Sequence, residues 1–207
     1  MTTPSDRPVA NSGILQIDTY VPGKSGVPEG VKLHKLSANE TPLGPSPLAR
    51  EAYAAMADRL ADYPDGSSTG LRAAIARAHG INGDNILCGN GSDELLGLLS
   101  QCYLNSGDEA IYCEHGFLMY RIGILSAGAT PVVAPETDHT TNVDAILDRV
   151  TDKTKIIFIA NPNNPTGTVV RQEDLDTFLD RVPEDVLVVV DEAYVEFVRD
   201  PSAVRGI

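Results

Sequence analysis

The feature that most constrains this 207-residue chain is an alternation, from about residue 85 onward, of short apolar runs with longer amphipathic segments. Residues 156–159 and 186–190 are apolar at every position, as strands must be when helices cover both faces of their sheet. Strands that alternate with helices form parallel sheets. The sequence therefore predicts an α/β fold, with a mostly parallel sheet and helices on both faces.

Residues 1–47 depart from this pattern, because they are rich in Pro, Gly and Ser and contain only one strand-like segment, at 31–36. Such a composition favours an N-terminal arm that packs on another surface. Residues 48–207 are predicted to form one domain. Its predicted strands are 85–89, 109–113, 130–133, 155–160 and 186–191, and the predicted helices of the chain are 47–60, 70–79, 93–104, 119–127, 143–150 and 172–182.

Composition and charge narrow the class of protein. The formal net charge of -13 argues against a nucleic-acid binder, which needs a basic surface to neutralise phosphates. The three cysteines have no metal-binding spacing and are odd in number, which favours a reducing cytoplasm over a disulfide framework. No apolar stretch approaches the ~18 residues of a membrane span. We therefore expect a cytoplasmic protein that acts on small molecules, without metal, nucleic-acid or membrane partners.

Polar residues at the carboxyl ends of the strands are candidate site residues, because ligands of open α/β sheets bind there. Residues 89–94 lead from a predicted strand directly into a helix, whose free N–H groups suit a phosphate, and Ser92 adds a hydroxyl. The turn at 161–167 (NPNNPTG) places Asn161 at another strand end, beside prolines that can be cis. An ordinary helix cap and an ordinary tight loop are the alternatives.

A third strand ends at Asp191, and Tyr194 follows three residues later. A carboxylate that leaves a buried apolar strand needs a partner, and a protonated heteroaromatic nitrogen fits. Asp191 would keep such a nitrogen charged, which makes the ring an electron sink, while Tyr194 would hydrogen-bond a ring oxygen. A helix-capping Asp beside a core Tyr is the alternative. Together the three strand ends match the recognition groups of pyridoxal phosphate.

These residues resemble those of the fold-type-I pyridoxal-phosphate aminotransferases and, within them, the histidinol-phosphate aminotransferases. The resemblance covers nearly the whole chain and rests on five segments: 36–47 (LSANETPLGPSP), 63–66 (YPDG), 91–94 (GSDE), 162–167 (PNNPTG) and 191–194 (DEAY). It implies a cytoplasmic homodimer with pyridoxal 5′-phosphate as cofactor. The implied reaction transfers an amino group between L-histidinol phosphate and 2-oxoglutarate in histidine biosynthesis.

The resemblance also implies roles for individual residues. Asn161 and Tyr194 would contact the phenolic oxygen of the coenzyme, and Asp191 its pyridine nitrogen. Ser92 and Asp93 would lie at its phosphate.

Four further residues are aromatic or lie in the arm. Phe117 matches the aromatic position that stacks on the ring, where many relatives have Tyr, so stacking is kept and a hydrogen bond is lost. Tyr63 would reach the phosphate of the neighbouring subunit's coenzyme, and Tyr20 and Asn39 would border the substrate. For the last three residues ordinary packing is the alternative.

Transamination requires a lysine that holds the coenzyme covalently and moves the proton of the substrate α-carbon. In the family this lysine, and the arginines that bind the substrate phosphate, follow the strand that ends at Asp191. All five lysines of this chain precede that strand: Lys24, Lys32, Lys35, Lys153 and Lys155. We therefore assign no catalytic residue and expect an N-terminal portion of a longer enzyme, with an incomplete large domain and no activity alone.

Two alternatives stay open. An aromatic-amino-acid aminotransferase or a threonine-phosphate decarboxylase of the same family would share these coenzyme contacts. A truncated relative without catalysis would keep coenzyme binding or the dimer surface.

Overall fold

Four of the apolar segments pair as a parallel sheet in the computed structural model, which describes residues 9–19, 26, 28–34, 36, 38–200 and 202–203. The strand order in this sheet is β2-β1-β5-β6, and a separate antiparallel hairpin is formed by β3 and β4. The strands are β1 (Glu109–Cys113), β2 (Thr130–Ala134), β3 (Glu136–Thr137), β4 (Thr140–Thr141), β5 (Thr154–Ala160) and β6 (Leu187–Asp191).

Six α-helices accompany these strands in the described part of the chain. They are α1 (Pro47–Ala55), α2 (Thr69–His79), α3 (Gly91–Tyr103), α4 (Leu118–Ser126), α5 (Val143–Leu147) and α6 (Gln172–Leu179). Because α3 and α4 cover one face of the sheet and α5 and α6 the other, the predicted α/β fold is confirmed.

Alternate residues of the strands face opposite layers, and each layer has its own core. One core joins the strands to α5 and α6; it includes Ile111, Ile157, Ile159, Ile146, Leu175 and Phe178. The other joins the strands to α3 and α4; it includes Ala110, Ile156, Phe158, Leu96, Tyr120 and Ile124. Each buried Ile, Leu or Phe side chain among these contributes about 1.5–3 kcal/mol by leaving water. The central strands β1 and β5 are therefore held from both sides.

The chain divides into two units, one of residues 1–17 with 70–207 and one of residues 18–69. The larger unit contains the sheet and α3 to α6, and Gly13 packs there against the carbonyl of Leu125. The smaller unit contains α1 and a short 3-10 helix, Ala57–Arg59. The predicted division into an arm (1–47) and a coenzyme-binding domain (48–207) stays a prediction.

Some predicted elements differ from the structure. Residues 86–89 form no strand, since they have no strand partner among the described residues, and the segment is preceded by a 3-10 helix, Gly83–Asn85. Residues 31–34 and 36 are not a strand either. The helix predicted at 143–150 ends at Leu147. The N–H groups of Arg149 and Val150 donate to carbonyls three residues earlier, as in a 3-10 turn, instead of four residues earlier as in an α-helix. The β3–β4 hairpin was not predicted.

Within the described residues, no helix combines the length and the apolar character needed to cross a membrane.

Candidate functional site

A cleft opens at the carboxyl ends of β5 and β6. The sheet register pairs Ala160, the last residue of β5, with Asp191, the last residue of β6, so both strand ends reach the same edge. The cleft has about 360 Å³ of empty space, open solvent included. Its lining consists of Phe117, Ala160, Pro162, Asn164, Asp191, Ala193 and Tyr194. Three predicted coenzyme contacts, Phe117, Asp191 and Tyr194, therefore meet in one place.

The carboxylate of Asp191 accepts one hydrogen bond on each oxygen. Tyr120 Oη donates to Oδ2 over 2.9 Å, and the Ala193 N–H donates to Oδ1 over 3.1 Å. These two donors fix the orientation of the carboxylate at the cleft edge. Because each carboxylate oxygen has further acceptor capacity, the group can still accept a hydrogen bond from a ligand.

Tyr120 connects this carboxylate to the core. Its ring is buried and lies stacked on Phe158, with centroids 5.0 Å apart and an interplanar angle of 6°. Burial raises the pKa of the Tyr120 hydroxyl, and the negative charge of Asp191 raises it further. The phenol therefore stays protonated and keeps donating to Asp191.

Phe117 forms one wall of the cleft and directly precedes α4. Its ring meets the Tyr120 ring edge to face, with centroids 5.9 Å apart and an interplanar angle of 88°. Tyr194 also lines the cleft and packs at a tilt on Phe197, with ring centroids 6.4 Å apart. A planar aromatic ligand would thus meet two aromatic side chains and one carboxylate.

Asn161 does not line the cleft, and its predicted contact with the coenzyme stays a prediction. Its side chain is buried and turned to the backbone of Val170: the Val170 N–H donates to Oδ1 over 2.8 Å, and Nδ2 donates to the Val170 carbonyl over 3.4 Å. Asn164 lines the cleft instead. The Asn161 amide therefore holds the turn, and the Asn164 side chain of the same motif lies in the cleft.

Asn163 fastens the turn that carries Asn164. Its Nδ2 donates to Thr166 Oγ1 over 2.9 Å and to the His115 carbonyl over 3.2 Å. The Gly167 N–H donates to the Asn163 carbonyl over 2.8 Å, and Gly167 has a positive φ of 73° that glycine adopts without strain. The peptide bonds before Pro162 and Pro165 are both cis. The turn is thus tied to the loop that leads into Phe117.

Ser92 and Asp93 lie in the first turn of α3, with exposed side chains, and neither lines the cleft. Glu94 folds back on this turn and accepts from the Asn90 N–H over 2.6 Å. The first N–H groups of a helix have no partner within the helix, and the roles of Ser92 and Asp93 stay predictions.

The other predicted site residues belong to the smaller unit. Tyr63 is 97% exposed, and Asn39 is exposed with a positive φ of 51°, a conformation that asparagine tolerates. Tyr20 lies outside the described residues. The roles predicted for all three stay predictions.

The two lysines of the larger unit lie at the far end of the sheet from the cleft. Lys155 is at the start of β5 and pairs with Asp185 over 3.3 Å, and Lys153 directly precedes this strand. Ala160 lies five positions after Lys155 along the strand, a rise of about 17 Å. Neither lysine can reach a ligand in the cleft.

Two site residues, Asn164 and Tyr120, were missed from the sequence. Asn164 directly precedes the second proline of the NPNNPTG turn, and Tyr120 lies three residues after Phe117, one helical turn away. The spacing of Phe117 and Tyr120 was visible in the sequence. The choice between Asn161 and Asn164 depends on how the turn folds.

Comparison with known proteins shows the family to which the chain belongs. The model of the family "Aminotransferase class I and II" matches residues 31–206. The chain is 56% identical over 193 residues to the histidinol-phosphate aminotransferase of Rhodopseudomonas palustris (strain HaA2), and 54% identical over 193 residues to that of Nitrobacter winogradskyi. Each match covers 93% of this chain and 53% of the relative, so the chain spans about half the length of the curated relatives it matches.

A solved structure is similar over the same region. The crystal structure of histidinol-phosphate aminotransferase from Sinorhizobium meliloti in complex with pyridoxal-5′-phosphate superposes with a TM-score of 0.77 at 29% identity. The match covers 80% of this chain and 45% of that chain. With the family model matched over most of its length, this chain belongs to the class I and II aminotransferases.

Proposed function

We propose that the complete gene product carrying this chain is a pyridoxal-phosphate-dependent transaminase that moves an amino group between L-histidinol phosphate and 2-oxoglutarate in histidine biosynthesis. The observation that carries the proposal is the cleft in which Phe117, Asp191 and Tyr194 converge. The 56% identity to a histidinol-phosphate aminotransferase supports the choice of substrate.

Asp191 is proposed to hold the pyridine nitrogen of the coenzyme. Its carboxylate is oriented by Tyr120 and by the Ala193 N–H, and a protonated pyridine nitrogen would complete its hydrogen bonds with an opposite charge. When bound, pyridoxal phosphate supplies an electron sink for the carbanion that forms at the substrate α-carbon. Asp191 would contribute by keeping the ring nitrogen protonated.

The remaining cleft residues are proposed to orient the ring. Phe117 offers an aromatic face for stacking, which excludes water from that side. Tyr194 and Asn164 can each donate a hydrogen bond to the phenolic oxygen, since both line the cleft and both carry donors. Asn164 thus takes the role first predicted for Asn161.

The first turn of α3 is proposed to bind the coenzyme phosphate through backbone N–H groups and the Ser92 hydroxyl. Gly91 has a positive φ of 77° and leaves this turn without a bulky side chain. The partial positive charge of a helix N-terminus favours a phosphate by up to about 1 kcal/mol at an exposed site. Asp93 would act through its backbone N–H, because its carboxylate would repel the phosphate.

Substrate choice is tested with the purified complete gene product, offered L-histidinol phosphate, phenylalanine or threonine phosphate. We expect kcat/KM for L-histidinol phosphate to exceed that for phenylalanine by at least about 100-fold, because contacts to the phosphate are lost with phenylalanine. Faster turnover of phenylalanine, or release of CO₂ from threonine phosphate, would support the related enzymes. Coenzyme binding without turnover of any of the three would support a non-catalytic relative.

We also propose a homodimer with shared active sites, in which Tyr63 reaches the neighbouring subunit's coenzyme. Several large side chains of the smaller unit are exposed as a partner surface would be: Leu43, Leu48, Tyr53, Leu60 and Tyr63. The Asp65 carboxylate accepts from the Ser67 and Thr69 N–H groups over 2.9 and 2.8 Å, which fixes the turn after Tyr63.

Subunit complementation tests the shared site. Tyr63→Ala and Asp191→Asn enzymes, each weakly active, are mixed under conditions that exchange subunits. One site of each mixed dimer is then intact, so activity should return to about a quarter of the wild-type value. No recovery in dimers shown to exchange would mean that Tyr63 serves its own subunit or none.

A cytoplasmic location is proposed as well. Cys88, Cys102 and Cys113 are all free thiols, as is usual for proteins in a reducing compartment.

A further inference from the structure

A cluster of two histidines and a glutamate lies away from the cleft lining, where the loop after β1 meets the β3–β4 hairpin. His115, Glu136 and His139 each offer one ligand atom, and these atoms lie within 4.8 Å of one another. None of the three lines the coenzyme cleft. Cysteine and histidine spacing did not predict this cluster, because its members come together only through the hairpin.

Glu136 is the fixed member of the cluster. Its side chain is 2% exposed, and the backbone N–H of His115 donates to Oε1 over 2.9 Å. Its other oxygen, Oε2, lies 2.8 Å from His115 Nδ1. A buried carboxylate needs donors or positive charge beside it, and His115 supplies both contacts here. One imidazole nitrogen and one carboxylate oxygen are thereby held side by side.

His139 is presented by the tip of the hairpin. Asp138 and His139 both have positive φ values, 49° and 61°, in a two-residue turn that normally favours glycine at the second position. A residue other than glycine is strained in this conformation, so the surrounding structure must hold it there. Thr168 Oγ1 donates to the His139 carbonyl over 2.8 Å and fixes its backbone. The His139 ring lies edge-on to that of His115, with centroids 5.0 Å apart and an interplanar angle of 82°.

We propose that His115, Glu136 and His139 bind one divalent transition-metal ion, of which Zn²⁺ is the representative. Two imidazole nitrogens with one carboxylate oxygen form a known three-ligand set that leaves a fourth position for water. Imidazole ligands favour Zn²⁺, Ni²⁺ and Cu²⁺ over Mg²⁺ and Ca²⁺.

The distances allow such a site after small ring movements. Ligands about 2.1 Å from a tetrahedral metal lie about 3.4 Å from one another. His115 Nδ1 and Glu136 Oε2 are closer than this, so the ion would replace the hydrogen bond between them and release its proton to solvent. The wider distance to His139 closes by rotation of the exposed rings. The His115 side chain is 42% exposed, which leaves an entry path for the ion.

A hydrogen-bonded pair of His115 and Glu136 that only fastens the hairpin is the competing explanation. The metal site requires His139 as a ligand, whereas a His115–Glu136 pair that only fastens the hairpin does not. Only the metal site predicts measurable affinity for a divalent metal ion.

The test titrates Co²⁺ into the 207-residue chain after removal of metal with EDTA and without coenzyme, and then measures Zn²⁺ affinity by competition with a chromophoric chelator. We expect one ion per chain and cobalt d–d bands without a thiolate charge-transfer band. His139→Ala should weaken Zn²⁺ binding by about 10-fold or more. His79→Ala, an exposed histidine at the end of α2, is the matched control and should change nothing.

Absence of saturable binding, or equal affinity in the wild type and His139→Ala, would overturn the proposal. A thiolate band that disappears in Cys102→Ser would overturn it too, since the ion would then sit on an exposed cysteine. Circular dichroism first establishes that each variant is folded. The deciding variant is His139→Ala, because His139 is exposed and its replacement should leave the fold intact.

Discussion

The hydroxyl of Tyr120 is the donor that aims Asp191 at the cleft, and it does so from inside the core. Its ionisation would break this hydrogen bond and set two negative charges side by side in a region of low polarity. For this reason burial, and then Asp191, raise the pKa of Tyr120 above its ordinary value of 10.0. The same contact therefore links cleft geometry to stability.

This link predicts a loss of stability at alkaline pH. Above pH 10 the unfolded chain releases the Tyr120 proton and the folded chain keeps it, so stability is fully present below that pH and falls above it. The fall for one proton is about 1.4 kcal/mol per pH unit. Urea unfolding between about pH 9 and about pH 11 should show a shallower fall in Tyr120→Phe. Tyr103→Phe, on a side chain that is 52% exposed and lies outside the proposed partner surface, is the control, and equal slopes in all three proteins would refute the prediction.

The two asparagines of the turn should separate stability from coenzyme binding. Asn161→Ala removes both contacts to Val170 and leaves buried backbone groups unpaired, so we expect a loss of about 1–3 kcal/mol in the free energy of unfolding. Asn164→Ala should change that free energy by less than about 0.5 kcal/mol and weaken pyridoxal phosphate binding by the complete gene product. Urea unfolding and coenzyme titration measure the two effects, and the opposite pattern would restore the original role of Asn161.

A side chain could be placed in the cleft from the sequence when its position along a strand sets its direction. Phe117, Asp191 and Tyr194 lie at or just after strand ends, and parallel strands bring such positions to one edge. Asn161 also lies at a strand end, but its amide is captured by Val170 on the returning chain, a contact that no local pattern reveals.

At the scale of elements, α3 and α4 approach closely at a glycine. A Cβ at Gly123 would lie 2.7 Å from Ser100 Oγ, and Ser100 is buried and bonded to the Leu96 carbonyl. Gly123→Ala should therefore push the helices apart and cost about 1–3 kcal/mol. Gly97→Ala, in α3 with open space around it, should be neutral or stabilise by up to about 1 kcal/mol. Thermal unfolding compares them, and equal midpoints for the two variants would show that this contact is not tight.

Strand prediction succeeded where the segment has a backbone partner in the sheet. The segment 109–113 forms β1 as predicted, because β2 and β5 pair with it and helices cover both faces. The equally apolar segment 86–89 forms no strand in the described structure, since a strand requires a backbone partner as well as an apolar pattern. The β3–β4 hairpin escaped prediction because its turn contains Asp138 and His139 instead of the usual glycine.

At the scale of the whole molecule, the order of residues along the chain predicts that the 207-residue chain does not transaminate, because all five lysines precede the strand that ends at Asp191. Lys153 and Lys155 are at the amino end of β5, Lys32 is in the smaller unit, and Lys24 and Lys35 lie outside the described residues. Consumption of 2-oxoglutarate with L-histidinol phosphate should not exceed that of pyridoxal phosphate without protein. A rate that rises in proportion to the concentration of the chain would show that one of these lysines acts as the catalytic lysine.

The proposed coenzyme cleft is tested most directly by a crystal structure of the complete gene product with pyridoxal 5′-phosphate bound. We predict the pyridine nitrogen about 2.8 Å from a carboxylate oxygen of Asp191, with the ring stacked on Phe117 and the Tyr120 hydroxyl still donating to Asp191. A coenzyme bound elsewhere, or a pyridine nitrogen turned away from Asp191, would contradict the proposed site.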